Sequence, residues 1–237
     1  MENHLSNSNF SQQELNISQS IPVYLTKVYN WMAIALLLTG LAAYFTAGSE
    51  QLIQIIFGNK ILFFGLIIAE IALVGYISAR IQKLTTTTAI SLFLLYSILN
   101  GLTLSFIFMA YTSASIASTF IITAGTFGAM SLYGYSTKKD LTKIGNIAFM
   151  ALIGIIIASV VNFFMESSMM SWVITYLGVL IFVALTAYDT QKLKRIAING
   201  FDNEESMEKS AILGALTLYL DFINLFLFLL RIFGDRK

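Results

Sequence analysis

Asp189, in Thr186-Ala187-Tyr188-Asp189-Thr190-Gln191-Lys192, and Asp221, in Leu218-Tyr219-Leu220-Asp221-Phe222-Ile223-Asn224, sit inside apolar runs. Glu70, in Leu66-Ile67-Ile68-Ala69-Glu70-Ile71-Ala72-Leu73, is a third acid of this kind. An ionisable group in hydrocarbon costs at least a few kcal/mol, so its presence there points to function. Carboxylates bind protons, or hard cations such as calcium that prefer oxygen ligands. Two carboxylates at one depth in a low dielectric cannot both ionise cheaply. They share a proton or recruit a cation, and they titrate as a unit. Arg80, a helical stretch beyond Glu70, is the arginine best placed to favour the charged forms. The amides Asn100, Asn162 and Asn224 are read as bridges between helices, with Asn224 and Glu70 as polar support for the aspartates.

These side chains must be carried by membrane helices. Of the 237 residues, 57% are hydrophobic and 11% charged, where soluble domains carry about 25% charged residues. The mean hydropathy is +0.77. There is no cysteine, which excludes disulfides and thiolate metal sites. The single histidine, His4, lies in a polar stretch, which argues against histidine-based catalysis. A net charge of +1 gives no basic surface for nucleic acid.

A bilayer core about 30 Å thick needs about 20 apolar residues per helix. The apolar runs predict spans at 26–47, 61–80, 87–110, 114–136, 143–165, 170–191 and 211–233. Residues 1–21, rich in Ser, Asn and Gln, predict a mobile polar cytosolic tail before a transmembrane domain over 22–237. Pro22 precedes the first span, so the spans carry no proline kinks. The charged run 201–209 predicts a solvated loop within 192–210, although the sixth helix can continue to about Asn199 before Gly200. Asp189 then lies as far before that end as Asp221 lies after Ala211, which brings the two to similar depth. Small residues at Ala124, Gly125, Gly128 and Ser131, and at Ala148, Ala151, Gly154 and Ala158, predict seams where helices pack closely.

With alternating spans, one side receives Lys27, Arg80, Lys83, Lys138, Lys139, Lys143, Lys192, Lys194, Arg195 and Lys209. The other receives Lys60, Arg231, Arg236 and Lys237. The positive-inside rule places the amino terminus in the cytosol. Lys192, Lys194 and Arg195 are expected to reach the headgroups. The seventh run is long enough for a full crossing, despite its basic end.

At these residues the chain resembles the Bax inhibitor family, also called the transmembrane Bax inhibitor motif family. The matching features are Tyr188-Asp189-Thr190-Gln191 and Leu218-Tyr219-Leu220-Asp221-Phe222-Ile223-Asn224. Glu70 followed by Arg80, and the closing Arg231-Ile232-Phe233-Gly234, also match. The resemblance covers about residues 20–235 and looks bacterial, which implies the inner membrane. It implies an all-α membrane protein, a seven-transmembrane helix bundle with the last helix central. It also implies a pH-sensitive calcium leak channel. Its sensor would be the paired carboxylates of Asp189 and Asp221, which would also contact the passing calcium. Arg80, within a residue of the family position, would be the latch. No cofactor is implied, calcium being the permeating ion.

Two other readings are open. Bacterial relatives resemble modulators of membrane proteases that act through an amino-terminal tail, which would make a membrane protease and the lipid the partners. An intramembrane aspartyl protease also pairs acids on two helices. It needs a Gly-x-Gly-Asp segment and a Pro-Ala-Leu segment, and here Leu218-Tyr219-Leu220 precedes Asp221 and no proline follows Pro22. The chain is therefore expected not to be an enzyme.

Overall fold

The computed structural model describes residues 2–237, with side chains described from residue 21 onward. Where residues 1–21 are expected as a mobile tail, the backbone from Glu2 onward is helical and runs into the first span, and the side chains of residues 1–20 lie outside the described residues. The described residues form α1 (Glu2–Ala47), α2 (Glu50–Gly58), α3 (Lys60–Arg80), α4 (Thr86–Leu104), α5 (Phe106–Ala110), α6 (Ser113–Ser136), α7 (Thr142–Met165), α8 (Ser168–Asn199) and α9 (Glu204–Phe233). Seven segments are long and apolar enough to cross a membrane: Ile21–Ala47, Lys60–Lys83, Thr86–Ala110, Ser113–Ser136, Thr142–Met165, Ser168–Asn199 and Glu204–Phe233. The protein is an all-α membrane protein. Helices suit this solvent because they satisfy their backbone polar groups internally.

Each predicted span has its counterpart, and the differences have local causes. Pro22 lies inside α1 rather than before it. α2 was not expected, since nine residues cannot span a membrane; Ser49 caps it by accepting from the Leu52 N–H at 3.4 Å. The third span is broken at Ser105 between α4 and α5. There the Ser105 hydroxyl donates to the Leu102 carbonyl at 2.7 Å, a back-bond that bends helices. α8 runs to Asn199 as expected, ending at Gly200, whose φ of 79° suits glycine. α9 starts at Glu204, about two turns before the expected Ala211. The charged run expected as a loop supplies its first turns. Asn203 and Ser206 form a capping box, and Glu208 pairs with Lys27 of α1.

α9 packs against α1, α3, α4, α6 and α8. It is the most enclosed crossing, 67% buried, against 6% for the crossing that begins with α3. Phe93, Tyr96, Phe120 and Phe127 surround its residues Tyr219, Phe222 and Phe226, with ring centroids 5.3–6.1 Å apart. Its thirty residues extend about 45 Å, enough to traverse the bundle. At its far end the chain is tied to the α5–α6 junction: the Thr112 N–H donates to the Asp235 carbonyl at 3.1 Å, and the Lys237 N–H to the Ala110 carbonyl at 3.1 Å.

The small-residue seams hold only in part: Ser131 and Ala148 are buried, and the Thr190 hydroxyl of α8 donates to Ser131 at 3.4 Å, but the glycines of the seams stand open. An added Cβ at Gly125, Gly128 or Gly154 would meet nothing within 4 Å. Ala124, Gly128 and Ser131 line one open groove, and Ala148, Ala151, Gly154 and Ala158 line another. The tight approach is at Gly134 of α6, where a Cβ would stand 2.1 Å from the Ala187 carbonyl oxygen of α8. Backbone against backbone cannot yield, so this glycine fixes α8 beside α6 one turn before Gly134's neighbours reach the surface turn.

That α6–α7 turn is held by side chains. Gln191 of α8 accepts from the Leu141 N–H at 2.9 Å and donates to the Lys139 carbonyl at 2.8 Å. Asp140 accepts from the Thr142 hydroxyl at 2.6 Å and from its N–H at 2.9 Å, and it pairs with Arg195. The Thr142 hydroxyl first, and the Arg195 guanidinium next, hold the Asp140 carboxyl below the usual carboxylate range. A depressed folded value contributes stability that is complete above the unfolded value, about 3.9, and is lost as pH falls through the folded value. Between about pH 5 and pH 2 the melting temperature of the wild type should therefore fall further than that of Asp140→Asn. Equal falls in circular-dichroism melts would show that the turn gains nothing from this carboxylate.

Candidate functional site

Asp189 lies on α8 and Asp221 on α9, two helices that pack against each other, and their carboxyl groups are neighbours. Both residues are buried, at 9% and 5% exposure. The depth argument from sequence had placed the start of α9 about two turns too late, yet the acids meet. α9 projects beyond the end of α8, and the stagger brings them level. A hydrogen bond between two carboxyl groups exists only when one carries a proton. Asp221 Oδ2 is buried and has no hydrogen-bond partner among the described residues.

Asp189 borders an open space. A small cleft of about 70 Å³ opens between the two helices, lined by Asp189, Lys192, Ser210 and Thr217 among others. Lys192, one turn along from Asp189, is the cation whose charge bears on that carboxyl. Sequence reasoning assigned it to the headgroups. Its spacing of three residues from Asp189 on one helical face was the available signal.

Arg80 is not brought to the pair. It is the last residue of α3, is exposed, and forms no ion pair or hydrogen bond with Asp189 or Asp221 among the described residues. Ile77 and Ile81 of the same stretch are buried, so the end of α3 turns these side chains inward and leaves Arg80 exposed. Asn224 also stands apart: its Nδ2 donates to the Leu220 carbonyl of its own helix at 2.8 Å. Asn162 bridges α7 and α8, as expected, and also holds the turn between them. It donates to Ser171 at 2.8 Å and accepts from the Ser167 N–H at 3.1 Å.

Glu70 is buried in a separate polar network. Thr103 donates to one carboxylate oxygen at 2.9 Å and Asn100 to the other at 3.3 Å. Asn100 Oδ1 in turn accepts from the Tyr219 hydroxyl at 3.1 Å. That hydroxyl lies 2.6 Å from Thr39 Oγ1 of α1. Asn100 and Thr103, three apart on one face of α4, are the residues that the sequence reading left unassigned to Glu70. α9 thus turns neighbouring polar residues to different sides: Tyr219 toward α1 and α4, and Asp221 toward α8. Among the described residues, no three His, Cys, Asp or Glu side chains gather in one place. The chemistry on offer is that of a carboxyl pair, which can hold a proton or contact a cation with oxygen ligands.

Seven apolar crossings with acids buried between them define a polytopic α-helical membrane protein. A family model described as "Inhibitor of apoptosis-promoting Bax1" matches residues 21–237. The inner membrane protein YbhL of Escherichia coli K12 is 56% identical over 218 residues, covering 92% of this chain and 93% of its own. A protein of Borreliella burgdorferi is 49% identical over 214 residues, covering 90% and 92%. One of Rickettsia prowazekii is 47% identical over 217 residues, covering 90% of each chain. The chain belongs to the Bax inhibitor family, as its acidic motifs led one to expect.

Removing one acid should show how the pair is balanced. Asp189→Leu leaves Asp221 buried without a partner and should destabilise the bundle by about 1–3 kcal/mol. Asp189→Leu with Asp221→Leu should cost less than the two single changes added together. Additive losses, read from unfolding in mixed micelles, would mean that the carboxyls do not interact.

Proposed function

We propose that this protein is a pH-sensitive cation leak of the bacterial inner membrane, with calcium as the permeating ion and Asp189–Asp221 as its sensor. The observation that carries this reading is the meeting of two buried carboxyl groups beside a cleft that reaches one of them. Hydrocarbon offers no solvation for such groups, so a pair held there responds to whatever proton or cation enters. A hydrogen bond between the two carboxyl groups requires one proton on the pair. Loss of that proton sets two negative charges face to face, and the cost is relieved by separation of α8 from α9 or by a cation between them. Calcium suits the second role because it takes oxygen ligands in flexible geometries.

On this reading the proton count of the pair biases a two-state contact between α8 and α9. Lys192 shares the cleft with Asp189 and competes with an incoming cation for it. Arg80, which stands away from the pair, has no part in the arrangement described. The protein acts by permeation and carries out no chemical conversion. The name YbhL places that relative in the inner membrane, which agrees with the proposed location.

The test is calcium flux into liposomes containing the purified chain. Asp221→Asn keeps the shape and a hydrogen bond to Asp189 but cannot titrate. Its flux should vary by less than about twofold over the pH range in which the wild type changes most. A variant that keeps the wild-type pH dependence would overturn the sensor. Equal flux of potassium and calcium would overturn the choice of ion.

A further inference from the structure

Between α1 and α6 the bundle is not closed by direct packing. A groove of about 490 Å³ lies there, with Phe222 of α9 at its floor and Met32, Leu36, Ala124, Gly128 and Tyr135 among its walls. Along α6 it runs from Tyr135 to Ala124, about 16 Å at the helical rise. That is the depth of one leaflet, half of a hydrocarbon core about 30 Å thick. Its walls are apolar for most of this length.

Its surface end is different. Lys194 of α8 donates to the Tyr135 carbonyl at 2.7 Å, and its ammonium lies 5.0 Å from the Tyr135 ring centroid. Lys194 also lines a pocket of about 240 Å³ with Lys138, Lys139, Asp140 and Arg195. The one carboxylate there, Asp140, is taken by Arg195. Lys138, Lys139 and Lys194 form no ion pair among the described residues. An uncompensated basic pocket thus adjoins the mouth of an apolar groove one leaflet deep, with Tyr135 and Lys194 joining the two.

We propose that this groove is a binding site for one anionic phospholipid. An acyl chain lies along α1 and α6 over Phe222, and the headgroup phosphate sits on Lys138, Lys139 and Lys194. Basic pockets between helices at the membrane surface select anionic headgroups in this way. The charge of the pocket selects an anionic over a zwitterionic lipid, and the depth of the groove selects a chain over a free phosphate. The proposal does not rest on the leak reading, since it concerns another face of α9. It does place a lipid chain against Phe222, the residue next to Asp221.

Native mass spectrometry of the detergent-solubilised full chain, titrated with phosphatidylglycerol or phosphatidylcholine, tests it. The wild type should retain one phosphatidylglycerol with a preference of about tenfold or more. Changing Lys138, Lys139 and Lys194 together to Gln should abolish the preference, and changing them to Arg should keep it. Gly128→Leu fills the groove where a Cβ meets nothing within 4 Å, and it should lower retention of both lipids. Circular-dichroism melts confirm that each variant is folded. Equal retention of the two lipids by the wild type, or a preference that survives the Gln changes, overturns the headgroup site. Unchanged retention in folded Gly128→Leu overturns the groove.

Discussion

In a bilayer a buried carboxyl group has no water to fall back on, and this constraint shapes the whole bundle. Asp189 and Asp221 answer it with each other, and Glu70 answers it with Thr103 and Asn100. The two solutions differ in kind. Glu70 is surrounded by neutral donors that solvate a negative charge and have no charge of their own to change. The aspartates face a second acid, so their contact depends on a proton that either could lose. A group of the first kind suits a fixed role and one of the second kind suits a responsive one.

α9 connects these sites. Tyr219 and Asp221 are two residues apart and point to different neighbours, so a rotation of the helix cannot improve one contact without altering the other. The aromatic packing of Phe120, Phe127 and Phe93 around the same stretch resists such motion through shape alone. Gly134 adds a backbone contact that leaves α6 and α8 no slack at that level. The bundle is therefore stiff around α9 except where the grooves lie.

The membrane spans were legible because hydrophobicity over some twenty residues leaves little choice of structure. The meeting of Asp189 and Asp221 was legible for a weaker reason, the antiparallel return of adjacent helices. The start of α9 was not, because Glu204, Glu205 and Glu208 look like loop residues until Asn203 is recognised as a cap and Lys27 as a partner. The small residues of α6 and α7 misled in part, for a physical reason. A small side chain permits close approach but does not supply the helix that approaches. Arg80 misled because distance along the chain does not say which face of a helix end turns inward: Ile77 and Ile81 are buried there, and Arg80 is exposed. Gln191 was visible only as part of a motif, and its bonds to Leu141 and Lys139 explain what that side chain does.

Gln191 stands two positions from Asp189 on the same rigid rod, and it grips the peptide groups of the turn between α6 and α7. Any displacement of the rod at the depth of the acids is thus delivered to that turn at the water boundary. On the proposed reading, a change at the buried acids is thereby coupled to the lysines of that turn.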